Sequence, residues 1–204
     1  MHQNIIFDMG GVLLDFSVQR LMDWFYGDLP AADQEAIRAA QYDSGLWSRM
    51  DRGDFDEEGM IAAICALLPE RLHAPVRAMI PRYFEALTPL PATNALVREL
   101  KGMGQKLFLL TNAPYAFARE KWRIPTLDAF DGIFASYEVH MLKPDRAIYL
   151  AFLERFHLQA QDCFFVDDVQ ANIDGAAAVG ITGHCFADRD IARLRQALGL
   201  PENT

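Results

Sequence analysis

Acidic, hydroxyl and amide side chains follow three short apolar runs of this chain, where buried strands would end. Asp8 precedes a glycine pair in the stretch IIFDMGGVLLD, Thr111 and Asn112 follow a second apolar run, and Asp167 and Asp168 follow a third. Carboxylates that lie close together repel one another unless a cation balances them, and oxygen ligands from separate strands commonly hold Mg²⁺. The residue types therefore indicate a metal-assisted reaction with a carboxylate nucleophile.

Lys143, in the stretch MLKPDRAIY, would add a cation to this set. An ammonium can neutralise a transferring phosphoryl group while a carboxylate attacks it to form an aspartyl-phosphate. Each residue also has a simpler interpretation when taken alone. Asp8 would be a turn residue, Thr111 and Asn112 would cap a helix starting near Pro114, and Lys143 would be a solvated loop residue. Their joint occurrence favours a site.

The elements that position these residues are short apolar runs alternating with helical patterns. This alternation is typical of an α/β fold, in which helices cover both faces of a parallel sheet. The predicted strands are Ile5–Phe7, Leu107–Leu110, Gly132–Ala135, Cys163–Val166 and Thr182–Phe186. Ligands bind such sheets at the carboxyl ends of the strands, so the polar residues should converge on one edge.

Residues 16–88 contain no strand-like run and read as a helical insertion after the first strand. Val18, Leu21 and Met22 begin an apolar face behind Ser17, a predicted helix cap. A second apolar face, ending at Leu67 and Leu68, follows the acidic start DEE; its residues are Met60, Ile61, Ile64, Leu67 and Leu68. The predicted division is a sheet domain from residues 1–15 and 89–204, interrupted by a helical subdomain over 16–88.

Composition narrows the classes of partner. The net charge is −9, from 19 basic and 28 acidic residues, and no basic run is present. Binding to nucleic acid or to an anionic membrane is therefore not expected. Cys65, Cys163 and Cys185 are an odd number of widely spaced cysteines and are predicted to be reduced thiols. Without a signal-like N-terminus or a membrane-length apolar run, we expect a soluble cytoplasmic protein.

Four motifs in order, FDMGGVL, LLTNAP, MLKPDRAIY and FFVDDVQANIDGA, resemble those of the haloacid dehalogenase-like hydrolase superfamily across essentially the whole chain. The resemblance implies a doubly wound, Rossmann-like parallel-sheet core with an inserted helical cap subdomain over residues 16–88. It also implies that Asp8 is the nucleophile and a Mg²⁺ ligand. The Gly10 carbonyl would be a second ligand, and Asp168 with Asp167 would complete the metal site.

The same resemblance assigns the phosphate-binding residues. Thr111 and the Asn112 amide would hold the transferring phosphoryl group, and Lys143 would neutralise it. The implied activity is Mg²⁺-dependent hydrolysis of small phosphomonoesters, including sugar phosphates, and the implied partner is a small phosphorylated molecule. Whether the protein is a monomer or a dimer stays open at this level.

Gly10 departs from the pattern Asp-x-Asp usual in phosphatases of the superfamily, whose second Asp protonates the leaving group and activates water. Loss of such a group typically lowers a rate by roughly 10²–10⁴. Three interpretations follow. The protein is a phosphatase, similar to members of the superfamily that have Asp-x-Gly and resemble glucose-1-phosphate phosphatase. Alternatively, it is a 2-haloacid dehalogenase, or a non-catalytic protein that binds phosphometabolites or other proteins. The acids Asp167 and Asp168 favour Mg²⁺ and hence the phosphatase, because unbalanced carboxylates would oppose ionisation of Asp8.

Two further positions near the site have competing interpretations. Asp15 either replaces part of the missing acid function or, as we expect, is a hinge carboxylate bonded to backbone. Asn172 either orients an acid or simply begins a helix. The predicted cap also contains a mixed aromatic and charged stretch made of Trp47, Arg49, Asp51 and Arg52. This stretch could contact the substrate, but we expect Trp47 to pack within the cap and the charged residues to be solvated.

Overall fold

A parallel five-stranded β-sheet forms the centre of the protein in a computed structural model that describes residues 3–201. The strands, in chain order, are β1 Asn4–Phe7, β2 Leu14–Asp15, β3 Thr88–Pro89, β4 Lys106–Thr111, β5 Gly132–Ala135, β6 Cys163–Asp167 and β7 Thr182–Cys185. The sheet has the order β5-β4-β1-β6-β7. All five strands predicted from the sequence are present, and the α/β fold with a parallel sheet is confirmed.

Ten α-helices lie within the described residues. They are α1 Val18–Tyr26, α2 Ala31–Arg38, α3 Leu46–Asp51, α4 Glu57–Cys65, α5 His73–Met79, α6 Pro91–Gly102, α7 Phe117–Glu120, α8 Arg146–Phe156, α9 Gln170–Ala177 and α10 Ile191–Ala197. None of the helices in residues 3–201 is both long and apolar enough to cross a bilayer. The three cysteines carry free thiols.

The sheet buries both of its faces, as a continuously apolar parallel sheet must. Successive side chains of a strand point to opposite faces, so Ile5 and Phe7 join one apolar cluster and Ile6 joins another. The first cluster includes residues of α6 and α10, and the second includes residues of α8 and α9. The sheet thereby lies between two layers of helices, and its edge can position functional groups.

Both predicted helices of the insertion are present. Ser17 caps α1 by accepting a hydrogen bond from the Arg20 backbone N–H at 3.1 Å, and Asp56 caps α4 by accepting from the Gly59 N–H at 2.8 Å. The second helix ends earlier than its apolar pattern indicated, at Cys65. Pro69 follows closely and disfavours helical backbone at the residue before it, so Leu67 and Leu68 lie in the turn beyond the helix.

A two-stranded antiparallel ribbon lies where the chain leaves and re-enters the sheet region. Leu14 pairs with Pro89 and Asp15 pairs with Thr88. The expectation of no strand in residues 16–88 was therefore wrong at its last residue, because two-residue strands carry no readable periodicity. The boundaries of the two subdomains stay a prediction, and residues 1, 2 and 202–204 of the predicted core lie outside the described residues.

Residues of the helical insertion build an apolar cluster of their own. It contains buried side chains from Leu21 to Ala86 and one residue from outside the segment, Ala116. A chain segment that buries its own apolar surface can hold its shape independently of the sheet. The tertiary packing is therefore consistent with a separate helical unit.

Candidate active site

The order of the strands brings the predicted residues together. β1 is central, and its neighbours on either side are β4 and β6. Asp8 therefore follows the central strand, Thr111 ends one neighbour and Asp167 ends the other. The Asp8 backbone N–H donates to the carbonyl of Val166 at 2.9 Å, which fixes the carboxylate against β6. The carboxyl edge of the sheet is the site that parallel topology predicts.

Lys143 lies at the centre of this site with 4% of its surface exposed. Its Nζ is 2.6 Å from Asp167 Oδ2 and 2.9 Å from Asp8 Oδ1, and it donates to the Leu110 carbonyl at 3.2 Å. Burial lowers the pKa of Lys143, but the charges of the two carboxylates outweigh burial and leave that pKa above its ordinary value. The ammonium therefore stays charged, and the interpretation of a solvated loop lysine is wrong.

The side chain of Asn112 holds the backbone that carries Lys143. Asn112 Oδ1 accepts from the Lys143 N–H at 2.9 Å, and Asn112 Nδ2 donates to the Lys143 carbonyl at 3.0 Å. The next helix, α7, begins at Phe117 and its N-cap residue is Ala116, so the helix-capping interpretation of Thr111 and Asn112 is wrong. Thr111 is 1% exposed and lies in the wall of the cavity described below.

Asp167 is completely buried, and protein groups fill its hydrogen-bonding capacity. Oδ1 accepts from the Val169 N–H at 2.8 Å and from Asn172 Nδ2 at 2.9 Å. Oδ2 accepts from Asn172 Nδ2 at 3.0 Å as well as from Lys143 Nζ. Asn172 lies in the first turn of α9. It therefore both orients an acid and begins a helix, the two interpretations that the sequence had set against each other.

Asp8, Asp167 and Asp168 each offer one carboxylate oxygen within 4.8 Å of the others. Although Asp8 Oδ1 is paired with Lys143, it accepts no well-aligned hydrogen bond. Burial raises the pKa of Asp8 to about 7, and Asp167 and Asp168 add to this increase while Lys143 opposes it. A buried carboxylate oxygen that accepts no aligned hydrogen bond, among mutually repelling acids, fits a divalent cation.

Gly11 adjoins this cluster and leaves room for Asp168. A Cβ atom at Gly11 would lie 2.0 Å from Asp168 Oδ2, and the φ angle of +71° also favours glycine. Gly10 is different, because a Cβ atom there would meet only Phe16, at an ordinary contact distance of 3.5 Å. Lack of space at the Cβ position therefore does not explain why position 10 carries no carboxylate.

A cavity of about 240 Å³ opens above these groups. Apolar and aromatic side chains form much of its wall, including Phe16, Trp47, Tyr83 and Leu87. Among the cavity-lining residues within positions 3–201, Lys143 is the one basic side chain. The cavity can therefore balance one phosphate but provides no second lysine or arginine for another anionic group.

A profile described as haloacid dehalogenase-like hydrolase matches residues 2–180. The chain belongs to this hydrolase family. A sesquiterpene phosphatase of Aspergillus oryzae is 31% identical over 200 residues, covering 95% of each chain. A phosphorylated carbohydrates phosphatase of Thermotoga maritima is 27% identical over 191 residues, covering 87% of this chain and 81% of that protein.

A solved member of the family has the same fold. It is a haloacid dehalogenase family enzyme of Bacteroides thetaiotaomicron in complex with magnesium and inorganic phosphate. Its TM-score is 0.71 at 19% identity, with 90% of this chain and 93% of that chain covered. The family membership and its α/β fold, both expected from the motifs, are thus confirmed, and the protein is an enzyme of the hydrolase class.

Asp15 of this hydrolase is held by arginines and not by backbone, contrary to expectation. Arg20 Nη1 donates to Asp15 Oδ2 at 2.6 Å, and Arg189 Nη2 donates to Oδ1 at 2.8 Å. Partial burial acts to raise the pKa of Asp15, but these hydrogen bonds and charges leave it below its ordinary value. An ionised carboxylate cannot donate a proton, so Asp15 does not supply the missing acid.

The cavity also contains carboxylates whose proximity to the site the sequence did not show. Asp51 ends α3, and Glu120 ends α7 and accepts a hydrogen bond from the Tyr83 hydroxyl. Trp47 and Asp51 line the cavity, whereas Arg49 and Arg52 form ion pairs with Asp54. The expectation that this stretch is packing and solvated surface therefore holds for only part of it. Glu120 lies between Arg119 and Lys121, a pattern typical of exposed helices, so no signal marked it.

Proposed function

We propose that this hydrolase is a Mg²⁺-dependent phosphatase of small phosphomonoesters, with Asp8 as its nucleophile. The observation that carries the proposal is the arrangement of Asp8 beside Lys143 and Thr111 in one cavity, with an Asp8 oxygen that lacks an aligned hydrogen bond. A carboxylate next to a buried ammonium can approach a phosphorus whose charge that ammonium offsets. Relatives named as phosphatases of sesquiterpenes and of carbohydrates support the same reaction class.

Asp8, Asp168 and the backbone carbonyl of Gly10 would hold the Mg²⁺ ion. Asp167 belongs to the predicted metal site, but its oxygens already accept from Lys143, Val169 and Asn172. We therefore give Asp167 the indirect role of holding Lys143 and α9 in place. When bound, Mg²⁺ would screen the phosphoryl oxygens and offset the repulsion between the carboxylates. The Bacteroides structure with magnesium and phosphate supports this choice of ion.

The protein groups would divide the reaction between them. The Asp8 carboxylate attacks phosphorus, the bond to the leaving oxygen breaks, and an aspartyl-phosphate forms on Asp8. Lys143 and the Thr111 hydroxyl hold the transferring group, and Asn112 contributes by fixing the backbone of Lys143. Attack of water on the aspartyl-phosphate then releases inorganic phosphate and restores the Asp8 carboxylate.

Residues 16–88 would act as the cap that closes this cavity and selects the substrate. Phe16, Trp47, Asp51 and Tyr83 all come from this segment and line the cavity. The cavity volume of about 240 Å³ suits a small organic group beside the phosphate. Sugar phosphates and small apolar phosphomonoesters are therefore the substrates to test.

The test is release of inorganic phosphate from para-nitrophenyl phosphate, benzyl phosphate and several sugar phosphates, with Mg²⁺ and with excess chelator. We expect release with Mg²⁺ and almost none with chelator. Asp8→Asn should remove turnover with every ester while leaving the melting temperature near that of the wild type. Undiminished turnover in this variant would refute Asp8 as the nucleophile.

Assays of the same preparations with a 2-haloacid separate the remaining interpretations. A 2-haloacid dehalogenase would release halide from 2-chloropropionate and would be indifferent to chelator. A non-catalytic binding protein would be stabilised by phosphate esters without forming product. Either outcome, in the absence of phosphate release, would replace the phosphatase proposal.

A further inference from the structure

We propose that Asp51, at the end of α3, is the proton donor to the leaving oxygen and the proton acceptor from water, in place of the carboxylate that position 10 lacks. This inference rests on the proposed phosphatase function. Its basis is the position of the Asp51 side chain in the wall of the cavity that contains Asp8. The reaction requires a proton at the leaving oxygen whenever the alcohol is strongly basic, and Gly10 cannot provide one.

The other titratable groups of the cavity have other partners or roles. The titratable lining residues within positions 3–201 are Asp8, Asp51, Tyr83, Glu120, Lys143 and Asp168. Asp8, Lys143 and Asp168 are engaged at the phosphoryl end, and the Tyr83 hydroxyl is bonded to Glu120. Across residues 3–201, no hydrogen bond or ion pair engages the Asp51 carboxyl group. Asp51 is therefore the lining acid that is available for a substrate oxygen.

The backbone of Asp51 is fixed to the sheet side of the site. The hydroxyl of Ser136, a completely buried residue that follows β5, donates to the Asp51 carbonyl. The same hydroxyl accepts from the Ala113 N–H at 2.9 Å, directly after the segment that carries Thr111 and Asn112. One serine thus joins α3 to the loop beside the phosphoryl site and fixes Asp51 relative to Asp8.

Burial, together with the charges around Asp51, favours the protonated form of its carboxyl group. Burial raises its pKa well above the ordinary value, the carboxylates of Glu120 and Asp8 raise it further, and the ammonium of Lys143 opposes them. The charge of Asp51 also reaches Tyr42 and Tyr83, whose raised pKa values leave them uncharged near neutral pH. A neutral carboxyl group in a largely apolar wall is the form that a proton donor requires.

Glu120 is the competing acid, and its surroundings differ. The pKa of Glu120 responds to burial, to its bond with Tyr83 and to the charges of Arg119 and Glu57. The pKa of Asp51 is raised first by burial and then by Glu120, and only after these by Asp8, with Lys143 opposing. The Glu120 carboxylate is already bonded to the Tyr83 hydroxyl, whereas the Asp51 carboxyl group lines the same cavity without such a bond, so Glu120→Gln provides a matched control.

In the first step, Asp8 forms a bond to phosphorus and the bond from phosphorus to the ester oxygen breaks. The electron pair of that bond stays on the leaving oxygen, which takes the proton of Asp51 and departs as the alcohol. In the second step, the Asp51 carboxylate takes a proton from water while the water oxygen attacks phosphorus. The bond to Asp8 breaks, its electron pair returns to the carboxylate, and phosphate leaves.

The first experiment compares kcat/KM for the wild type, Asp51→Asn and Glu120→Gln across substituted phenyl phosphates and benzyl phosphate. A proton donor matters more as the leaving alcohol becomes more basic. We expect Asp51→Asn to lose roughly 10²–10⁴ in kcat/KM on benzyl phosphate but much less on para-nitrophenyl phosphate. We expect Glu120→Gln to leave the dependence on the leaving group unchanged.

The second experiment moves the acid to position 10, where a Cβ atom fits. Gly10→Asp in the Asp51→Asn background should restore most of the lost activity on benzyl phosphate, whereas Gly10→Ala in that background should restore none. In the wild-type background, Gly10→Asp should have a much smaller effect. This non-additivity is expected if both carboxyl groups perform the same proton transfer.

Two results would overturn the assignment of Asp51 while the phosphatase proposal stands. One is an equal loss on every ester in Asp51→Asn, and the other is a leaving-group-dependent loss in Glu120→Gln alone. Absence of phosphate release by the wild type would overturn both proposals. A melting curve accompanies each variant, and Asp51→Ser takes the place of Asp51→Asn if the latter is not folded.

Discussion

At the scale of single residues, the site contains more negative than positive charge. Asp8, Asp167 and Asp168 approach within 4.8 Å, and Lys143 is the ammonium that faces them. Asp167 is stabilised because it accepts hydrogen bonds from Lys143, Val169 and Asn172, while Gly11 leaves room for the Asp168 carboxylate. A bound divalent cation would balance the remaining negative charge of these carboxylates.

Gly11→Ala tests whether the position of Asp168 matters. Gly199→Ala is the matched control, because its φ angle is also +71° but no heavy atom lies within 4 Å of the added Cβ. Both variants should lose roughly 1–2 kcal/mol of unfolding free energy from backbone strain. Only Gly11→Ala should also lose stabilisation by Mg²⁺ in thermal melts, since its Cβ displaces Asp168. Equal Mg²⁺ effects in the two variants would contradict this.

At the scale of elements, α7 connects the sheet to the helical insertion through buried and exposed polar contacts. Glu120 is 1% exposed and accepts from the Tyr83 hydroxyl, while Arg119 forms an ion pair with Glu57. Burial raises the pKa of Glu120 to about 7, against the favourable effects of Tyr83 and Arg119. This contact therefore makes the stability of the folded protein depend on pH.

Glu120→Gln should alter the dependence of stability on pH. In the folded protein Glu120 holds its proton up to a pH of about 7, whereas in the unfolded chain it ionises near pH 4.5. The folded state binds more protons in this window, so the contribution of Glu120 to stability falls as the pH rises. As the pH rises from 4.5 to 7, the unfolding free energy of the variant should increase relative to that of the wild type by on the order of 2–4 kcal/mol. Urea unfolding measures this, and parallel pH curves would refute it.

At the scale of the whole molecule, two apolar layers fix the sheet and a third apolar cluster fills the helical insertion. The ribbon of β2 and β3 joins the two regions where the chain passes between them. The cavity lies between residues of the sheet edge and residues of the insertion. Binding of a cation or substrate should therefore stabilise the protein as a whole, because the site draws residues from both regions.

Mg²⁺ should raise the melting temperature of the wild type. At a Mg²⁺ concentration about a hundredfold above Kd, the expected stabilisation is about 2.7 kcal/mol. Asp168→Asn should strongly reduce this stabilisation by Mg²⁺. Asp174→Asn is the control, because it removes the same charge from an exposed carboxylate that is bonded to Gln170 on α9. It should leave the stabilisation by Mg²⁺ unchanged. Because the net charge is −9, this control separates site binding from general screening. Equal shifts in both variants would count against the site.

The sequence by itself determined the parallel sheet, its five strands and the positions of Asp8, Thr111 and the acid pair at the strand ends, with Lys143 a little beyond the third predicted strand. These features depend on local apolar runs and on motifs, which the order of residues displays directly. The same local information supplied the cap Ser17 and the acidic start of α4. It also marked Gly10 as the position that lacks an acid.

Only the tertiary structure decided which groups touch. Asn112 binds the backbone of Lys143 across 31 positions of the chain, and Asp15 binds Arg189 across 174 positions. Asp51 and Glu120 face one cavity from different helices. Such contacts depend on how elements pack and not on any local pattern, so a charged stretch that resembles solvated surface in the sequence can become the wall of an active site.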